Sequence, residues 1–217
     1  KVQQSKLASL GRLSASIAHE IRNPVGAMSH AAQLLAESSA LPADDQRLTE
    51  IIRVNGERVR QIIDNVLSMS RRESTRPADF ELRGWLEAFR AEFAATMQVS
   101  PAQLELAGPQ FEVNVRADPS HLRQVIWNLC ENALRYGVQP GATARVELRF
   151  GRLQKSSRPF LEVADRGPGI PEEHRERIFE PFFTAGGRGT GLGLFVAREL
   201  AQSNRALLAY KPRPSGG

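Results

Sequence analysis

The feature that most constrains this chain is a repeat of apolar side chains at alternating spacings of three and four over its first 70 residues. The repeat runs through Leu10, Ile17, Ile21, Met28, Ala31 and Leu35, with Ser14 and Pro24 at the remaining positions. After a break at residues 38–42 it resumes through Leu48, Ile51, Ile52, Asn55, Val59, Ile62, Val66 and Met69. Such a heptad pattern predicts two long helices joined as a hairpin. Two narrow apolar stripes cannot enclose a core alone, so we predict an α-helical hairpin that dimerises into a four-helix bundle.

The character of the sequence changes at the polar residues 71–77, beyond which shorter elements alternate with turn signals. Helices are predicted over Leu82–Met97, Pro119–Tyr136, Pro171–Phe179 and Gly191–Gln202. Strands are predicted over Gln103–Leu106, Phe111–Val115, Arg145–Phe150, Phe160–Ala164 and Leu207–Tyr210. The chain is therefore divided into a helical domain, residues 1–73, and an α+β domain, residues 74–217.

Composition narrows the possible function classes. With 41% hydrophobic and 24% charged residues, the chain is expected to form a packed core. No apolar run approaches the ~20 residues of a membrane-spanning helix. The single cysteine, Cys130, excludes a disulfide framework and a cysteine-based zinc site. The net charge of +5 is spread along the chain, so direct nucleic-acid binding is not expected.

His19 lies on the side of the first helix that faces away from the apolar seam, where it is presented to solvent. The adjacent Glu20 can accept a proton from one ring nitrogen and leave the lone pair of the other directed outward. Pro24 leaves the carbonyl of Glu20 without its helical donor, which predicts a kink just after the histidine. An ordinary surface histidine is the alternative, and a zinc-binding H-E-x-x-H helix is excluded because Asn23 stands at the second histidine position.

Three clusters in the second domain suit a nucleotide. A turn from Asp165 to Ile170 follows a predicted strand, and a glycine-rich stretch, residues 186–193, leads into a helix. Glycines there let backbone amides approach a polyphosphate, whose charge the helix N-terminus stabilises. Asn128 and Asn132 lie one turn apart on one helix face, where amide oxygens can bind a hydrated Mg²⁺. Each cluster alone is weak evidence, because a glycine-rich turn or a loop-capping asparagine needs no ligand.

Together these residues resemble a bacterial sensor histidine kinase. The shared motifs, in family order, are the H box around His19, the N box from Asn128 to Asn132, the D-x-G-x-G turn at Asp165, the F-E-P-F-F segment at Phe179 and the G-T-G-L-G-L turn at Gly189. Residues 16–35 and 197–206 are most similar to the type IV pilus sensor kinases, a branch close to the nitrogen-regulation sensors. The resemblance implies a dimeric four-helix bundle followed by a two-layer α+β sandwich of the GHKL or Bergerat type.

The resemblance implies a role for each matching residue. His19 would accept the γ-phosphoryl group of ATP with Glu20 as general base, and Asn23 would orient water for dephosphorylation of a partner regulator. Asn132 would bind Mg²⁺ with Asn128 in support, and Asp165 would accept a hydrogen bond from the adenine amino group. The other matching positions would shape the nucleotide pocket and its lid: Arg135, Tyr136, Gly167, Gly169, Ile170, Phe179, Thr184, Gly189, Thr190, Gly191, Leu192 and Gly193.

The resemblance also bears on ATP hydrolysis. In related ATP hydrolases such as gyrase and the Hsp90-type chaperones, a carboxylate one turn before the Mg²⁺ asparagine activates water. Asn128 holds that place here, and an amide is not a base, so bound ATP is expected to hydrolyse slowly. Glu131 points about 100° away from Asn132 around the helix and cannot substitute.

The sequence departs from the family pattern near its end. Arg205 replaces the usual glycine after the last helix, and the family's last strand is absent, so an incomplete sheet edge is expected. Family members carry upstream membrane spans and a sensory module, so this chain, which starts at Lys1, is expected to be the cytoplasmic portion of an inner-membrane protein. The implied partner is a response regulator that activates pilus genes. A catalytically degenerate ATP-binding scaffold and a chaperone-like ATPase are the alternatives.

Overall fold

The structure, a computed structural model, describes residues 21, 23–37, 42–70, 75–138, 143–185 and 189–213. The chain divides into two compact units, Lys1–Ser74 together with Glu180–Leu192, and Thr75–Phe179 together with Gly193–Gly217. The first unit contains a helical hairpin, and the second combines helices with two β-sheets.

Helices α1, residues 23–36, and α2, Ala43–Ser70, form the hairpin. Gly56 of α2 allows close contact with α1, because a Cβ at this position would lie 2.2 Å from Oγ of Ser29. Ala32 and Ile63 are buried.

The apolar positions of the predicted seam remain at the surface of the single chain. The exposed members are Ile21, Met28, Leu35, Leu48, Ile51 and Ile52. Met28 and Leu48 are more than half exposed, at 56% and 57%. The seam positions before Ile21, the break at residues 38–41 and the side chains of Ile62, Val66 and Met69 lie outside the described residues.

The strands of the second unit form two sheets. Strand β1, Ala78–Glu81, pairs antiparallel with β3, Asn114–Ala117. In a three-stranded mixed sheet, β4, Val146–Arg152, lies between the parallel β2, Leu104–Ala107, and the antiparallel β5, Pro159–Ala164. The helices are α3, Leu82–Met97, α4, Pro119–Tyr136, the short α5, Glu172–Arg175, and α6, Gly193–Ser203.

The core of this unit lies where α4 contacts α6, β4 and β5. Alternating residues of β4, Val146, Leu148 and Phe150, are buried on one face of the sheet. An aromatic cluster joins α3 to α4, with Trp127 edge-on to Phe93 at 4.8 Å between ring centroids. Trp85 stacks on Phe89 in the same cluster, so both tryptophans of the chain report on this unit.

Strand β1 runs directly into α3. Glu81 is the last residue of the strand and the N-cap of the helix, and its carboxylate accepts hydrogen bonds from the N–H groups of Arg83 and Gly84 at 2.8 and 2.7 Å. These two bonds satisfy backbone donors that a helix start otherwise leaves without partners. The pKa of Glu81 is lowered, chiefly by the bond from Gly84.

Asp118 caps α4 and connects three segments that are distant in sequence. One carboxylate oxygen accepts hydrogen bonds from the backbone and hydroxyl of Ser120 and the backbone of His121, and the other accepts from the backbone N–H of Arg76 at 2.8 Å. The N–H of Asp118 donates to Oδ1 of Asn204, at the end of α6, at 2.7 Å. Burial acts to raise the pKa of this carboxyl, but these hydrogen bonds outweigh burial and lower the pKa to about 2.

Helix α6 ends in a left-handed residue that is not glycine. Arg205 has φ 57°, and the N–H groups of Arg205 and Ala206 donate to the carbonyls of Gln202 and Ala201, both at 2.9 Å. This hydrogen-bond pair is the Schellman motif, in which glycine is the usual residue. Arg205 therefore carries a backbone strain that a glycine at this position would avoid.

The predicted helices Leu82–Met97 and Pro119–Tyr136 are confirmed with the same bounds. Other predictions need correction. Strand β1 was not predicted, and the strand expected at Phe111–Val115 lies at Asn114–Ala117, because pairing with β1 sets its register. The helix expected over Pro171–Phe179 is regular only over Glu172–Arg175 and continues as turns. The strand expected at Leu207–Tyr210 joins no ladder within the described residues, although the hydroxyl of Tyr210 accepts a hydrogen bond from the N–H of Ile170.

Candidate functional site

Of the three residues predicted to act on the phosphoryl group, His19, Glu20 and Asn23, the structure describes only Asn23. Asn23 is in α1 with its side chain exposed. His19, Glu20 and the kink expected after them lie outside the described residues. Their roles stay predictions.

Asn128 lies in the middle of α4, and both ends of its side chain are used by the protein. It is 9% exposed, its Oδ1 accepts from Nε2 of Gln124 at 3.0 Å, and its Nδ2 donates to the carbonyl of Gly193 at 3.0 Å. The amide therefore ties the first residue of α6 to α4. The role of Asn128 in support of Mg²⁺ binding stays a prediction.

Asn132 lies one turn further along α4 and has a different environment. It is partly buried, and its side chain makes no hydrogen bond to any other described residue. Its Nδ2 lies 3.9 Å from the position of a Cβ on Gly193, so the same residue of α6 stands beside both asparagines. An amide with an uncommitted oxygen beside a glycine can bind an oxygen-seeking cation such as Mg²⁺.

The last turn of α4 carries Arg135 and Tyr136, and Glu131 lies one turn before Arg135. Arg135 donates to the carboxylate of Glu131 at 2.8 Å, so this carboxylate is held in an ion pair along the helix surface. Tyr136 is 46% exposed and stands at the end of the helix. An aromatic ring and a guanidinium there suit contact with a nucleotide, as the sequence predicts.

The Asp165–Ile170 turn packs against the end of α4 backbone to backbone. A Cβ on Gly167 would lie 2.6 Å from Cα of Gly137, and a Cβ on Gly137 would lie 2.5 Å from Cβ of Asp165. Within the turn, the N–H of Gly167 donates to Oδ1 of Asp165 at 2.8 Å, which fixes the direction of the carboxylate. Because both positions are glycine, the two backbones can approach this closely. The approach brings Asp165 to the same end of α4 as Tyr136.

The sequence analysis did not identify Gly137 as part of the site. Gly137 directly follows a predicted helix, where a glycine is usually explained as a helix cap. Three side chains that contact the turn were also missed. Tyr210 accepts a hydrogen bond from the N–H of Ile170, Arg175 donates to the carbonyl of Ile170, and Arg213 donates to the carbonyl of Asp165. The contacts of Tyr210 and Arg213 have no signal in the local sequence pattern, because each joins segments at least 40 residues apart.

Phe179, the first residue of the F-E-P-F-F segment, contacts α6. The guanidinium of Arg198 lies over its ring at 5.3 Å. Nε of Arg198 is buried and has no hydrogen-bond partner among the described residues. The contact with the Phe179 ring places this cation against the negatively polarised face of an aromatic side chain.

Residues 180–192 belong to the other compact unit, and 186–188 lie outside the described residues. The N–H of Phe182 donates to the carbonyl of Gly191 at 2.9 Å, which closes the segment on itself. Gly191 has φ 69°, and a Cβ there would lie 2.5 Å from the carbonyl carbon of Phe182, so conformation and space both require glycine. Oγ1 of Thr190 accepts from the N–H of Leu192 at 3.3 Å.

The other predicted members of this segment are less constrained. Thr184 is partly buried, and Gly189 has φ 101°. A positive φ at two glycines allows sharp changes of chain direction.

Comparison with known proteins assigns both parts of the chain. Residues 9–75 match the His Kinase A (phospho-acceptor) domain, and residues 117–217 match the histidine kinase-, DNA gyrase B-, and HSP90-like ATPase family. The chain belongs to the sensor histidine kinases. In this histidine kinase, Gly167 lies in the D-x-G-x-G turn and Gly191 in the G-T-G-L-G-L turn, and Gly137 follows the helix that carries the N box.

Individual relatives agree with this assignment. The histidine kinase chain is 47% identical over 217 residues to the sensor protein kinase PilS of Pseudomonas aeruginosa, a match that covers 100% of this chain and 41% of PilS. It is 35% identical to the sensor histidine kinase AruS of the same organism, covering 95% of this chain and 22% of AruS. The chain thus spans 41% of the length of PilS and 22% of the length of AruS.

Solved structures of histidine kinases share the fold. Full-length ShkA in complex with AMPPNP matches with a TM-score of 0.60 and 25% identity, covering 88% of this chain and 41% of ShkA. Histidine kinase ThkA, solved in complex with the response regulator protein TrrA, matches with a TM-score of 0.65 and 24% identity, covering 98% of this chain and 61% of that one. Among the described residues of this kinase, no helix has both the length and the apolar character needed to cross a membrane.

Proposed function

We propose that this chain is the kinase core of a two-component sensor, which transfers the γ-phosphoryl group of Mg-ATP to His19 and then to an aspartate of a response regulator. The observation that supports this most directly is the packing of Gly167 against Gly137. It brings the Asp165 carboxylate to the end of the helix whose Asn132 amide has no partner among the described residues.

The residues of the site divide the work of holding the nucleotide. Asp165 would accept a hydrogen bond from the adenine amino group, with Oδ1 already oriented by the N–H of Gly167. Asn132 would bind Mg²⁺ through its side-chain oxygen, and the ion would offset the negative charge of the phosphates. Asn128 would keep Gly193, the first residue of α6, in place beside Asn132.

The same geometry disfavours attack by water. Asn128 is an amide with both ends paired, and the carboxylate of Glu131 is paired with Arg135. Neither is placed to act as a general base for water, so the phosphoryl group is kept for the histidine. At His19, a ring nitrogen would bond to the γ-phosphorus as the bond to ADP breaks, and Glu20 would take the proton from the other ring nitrogen.

The exposed apolar stripe on the hairpin supports a homodimer. Ile21, Met28 and Leu35 share one position of the heptad pattern, and each is at least 41% exposed. Covering them and the matching residues of α2 with a second copy would complete a four-helix bundle. The similarity to PilS supports a pilus-gene activator as the regulator, and membrane attachment through segments that precede this part of the protein.

Phosphoryl transfer from γ-labelled Mg-ATP tests this function. The wild-type protein should acquire label that is stable in alkali and labile in acid, as a phosphohistidine is, and His19→Gln should acquire none. His30→Gln, which alters an exposed histidine of α1, is the matched control and should be labelled like the wild type.

Two results would contradict the proposal. Intact ATP binding without label in the wild type would favour a nucleotide-binding scaffold. Steady release of inorganic phosphate without a phosphoprotein would favour a chaperone-like ATPase.

A further inference from the structure

The Asp165–Ile170 turn needs support from outside itself. It contains Gly167 and Gly169, and Gly169 has φ 75°. Glycines leave a backbone free to adopt many conformations, so the turn's own hydrogen bond, from Gly167 to Asp165, orients the carboxylate only if the turn's ends are fixed.

Both ends are fixed by the segment of residues 206–213. At the first end, Nη1 of Arg213 donates to the carbonyl of Asp165 at 3.0 Å. The Arg213 guanidinium also lies 3.7 Å from the carboxylate of Glu147 on β4, and the two side chains are only 21% and 25% exposed. The sheet therefore anchors the arginine that holds Asp165.

At the other end of the turn, side chains satisfy both backbone groups of Ile170. Its N–H donates to the hydroxyl of Tyr210 at 3.2 Å, and its carbonyl accepts from Nε of Arg175 at 3.1 Å. The Arg175 guanidinium also lies over the Tyr210 ring, 5.9 Å from its centroid. Tyr210, Arg175 and Ile170 thus form one small network.

We infer that residues 206–213 brace the Asp165–Ile170 turn at both ends, and that Tyr210 and Arg213 are positioning residues for adenine recognition. The inference rests on the proposed nucleotide site. Hydrogen bonds weaken steeply as their geometry departs from linear. A carboxylate held in one orientation therefore binds the adenine amino group better than a carboxylate that samples several orientations. Loosening the turn should weaken the hydrogen bond to that amino group and leave the contacts with the phosphates unchanged.

The test compares two nucleotides that differ only at this group. Dissociation constants would be measured calorimetrically, with Mg²⁺, for ATP and for purine riboside triphosphate, which lacks the 6-amino group. Tyr210→Phe and Arg213→Gln should each weaken ATP binding about fivefold, the value of one hydrogen bond of about 1 kcal/mol, and weaken binding of the analogue less than about twofold.

Hydrogen exchange provides a second readout that does not depend on nucleotide. The amide of Ile170 should exchange faster in Tyr210→Phe than in the wild type, because the variant lacks the acceptor hydroxyl. Arg152→Gln is the matched control, since it removes a similar arginine-to-carbonyl bond, to Ser157 at 3.0 Å, elsewhere in the unit. It should leave both nucleotide affinities and the Ile170 amide unchanged.

The outcomes separate this inference from the proposed function. Equal weakening for both nucleotides, or unchanged affinities with unchanged exchange at Ile170, would overturn the inference while the nucleotide site stands. A wild-type protein that binds neither nucleotide would overturn the proposed function, and the Ile170 exchange rate would still decide whether the segment braces the turn.

Discussion

The carboxylate of Asp118 offers the sharpest test of how this α/β unit is held together. Its pKa of about 2 lies below the value of 3.8 for an unperturbed aspartate. Because one pKa unit corresponds to about 1.4 kcal/mol, the ionised carboxylate stabilises the folded state by about 2 kcal/mol at neutral pH. Asp118→Asn should remove this contribution and also leave the N–H of Arg76 without its acceptor.

The sign of the pH dependence follows from the lowered pKa. The contribution is complete above the unfolded pKa, near 4, and is lost as the pH falls through 2. The difference in unfolding free energy between the wild type and Asp118→Asn should therefore be at least about 2 kcal/mol at pH 7, and about 1 kcal/mol smaller at pH 3 than at pH 7.

Urea unfolding followed by tryptophan fluorescence would measure this difference. Trp85 and Trp127 both lie in the α3–α4 cluster, so the signal reports the unit that Asp118 stabilises. Asp79→Asn is the matched control, because Asp79 is 71% exposed in its pair with Arg116 and such pairs contribute about 0–1 kcal/mol. A difference for Asp118→Asn that does not change with pH would refute the reasoning.

Three further predictions concern single positions. Arg205→Gly should raise the free energy of unfolding by about 0.5–1 kcal/mol in the same urea assay, whereas Arg205→Ala, which keeps a Cβ at φ 57°, should not. Gly167→Ala should weaken ATP binding at least tenfold in calorimetry, because its Cβ would lie 2.6 Å from Cα of Gly137, while Gly26→Ala, with no atom within 4 Å of the added carbon, should leave binding unchanged. The fully buried thiol of Cys130, whose pKa is raised by burial, should resist a disulfide reagent at pH 8 in the folded protein and react once in urea; rapid reaction without urea would contradict the observed packing.

The parts of the fold that the sequence predicted well have local causes. The helix Pro119–Tyr136 is confirmed with the predicted bounds. Its start has a local cause, because Asp118 is the N-cap and Pro119 suits the first helical position. The strand β1 has no such signal, since it is four residues long and exists through its pairing with β3. Because of that pairing, β3 begins at Asn114, after the apolar residues Phe111 and Val113 on which the predicted earlier start was based.

The candidate site shows the same division. The spacing of Asn128 and Asn132 follows from helix geometry, so their shared face was predictable from sequence. Their different environments were not, because the carbonyl that Asn128 binds belongs to Gly193, on another helix. The contacts of Tyr210 and Arg213 with the Asp165 turn likewise depend on how the chain returns to it.

The direct passage from β1 into α3 limits how the length of this chain can vary in evolution. One inserted residue after Glu81 would rotate α3 by about 100° relative to the strand and carry the buried Leu86 and Phe93 away from the core. The connection at residues 153–158, between β4 and β5, is exposed and has no such constraint. Insertions and deletions that persist among relatives should therefore collect at 153–158 and be missing at the β1–α3 junction.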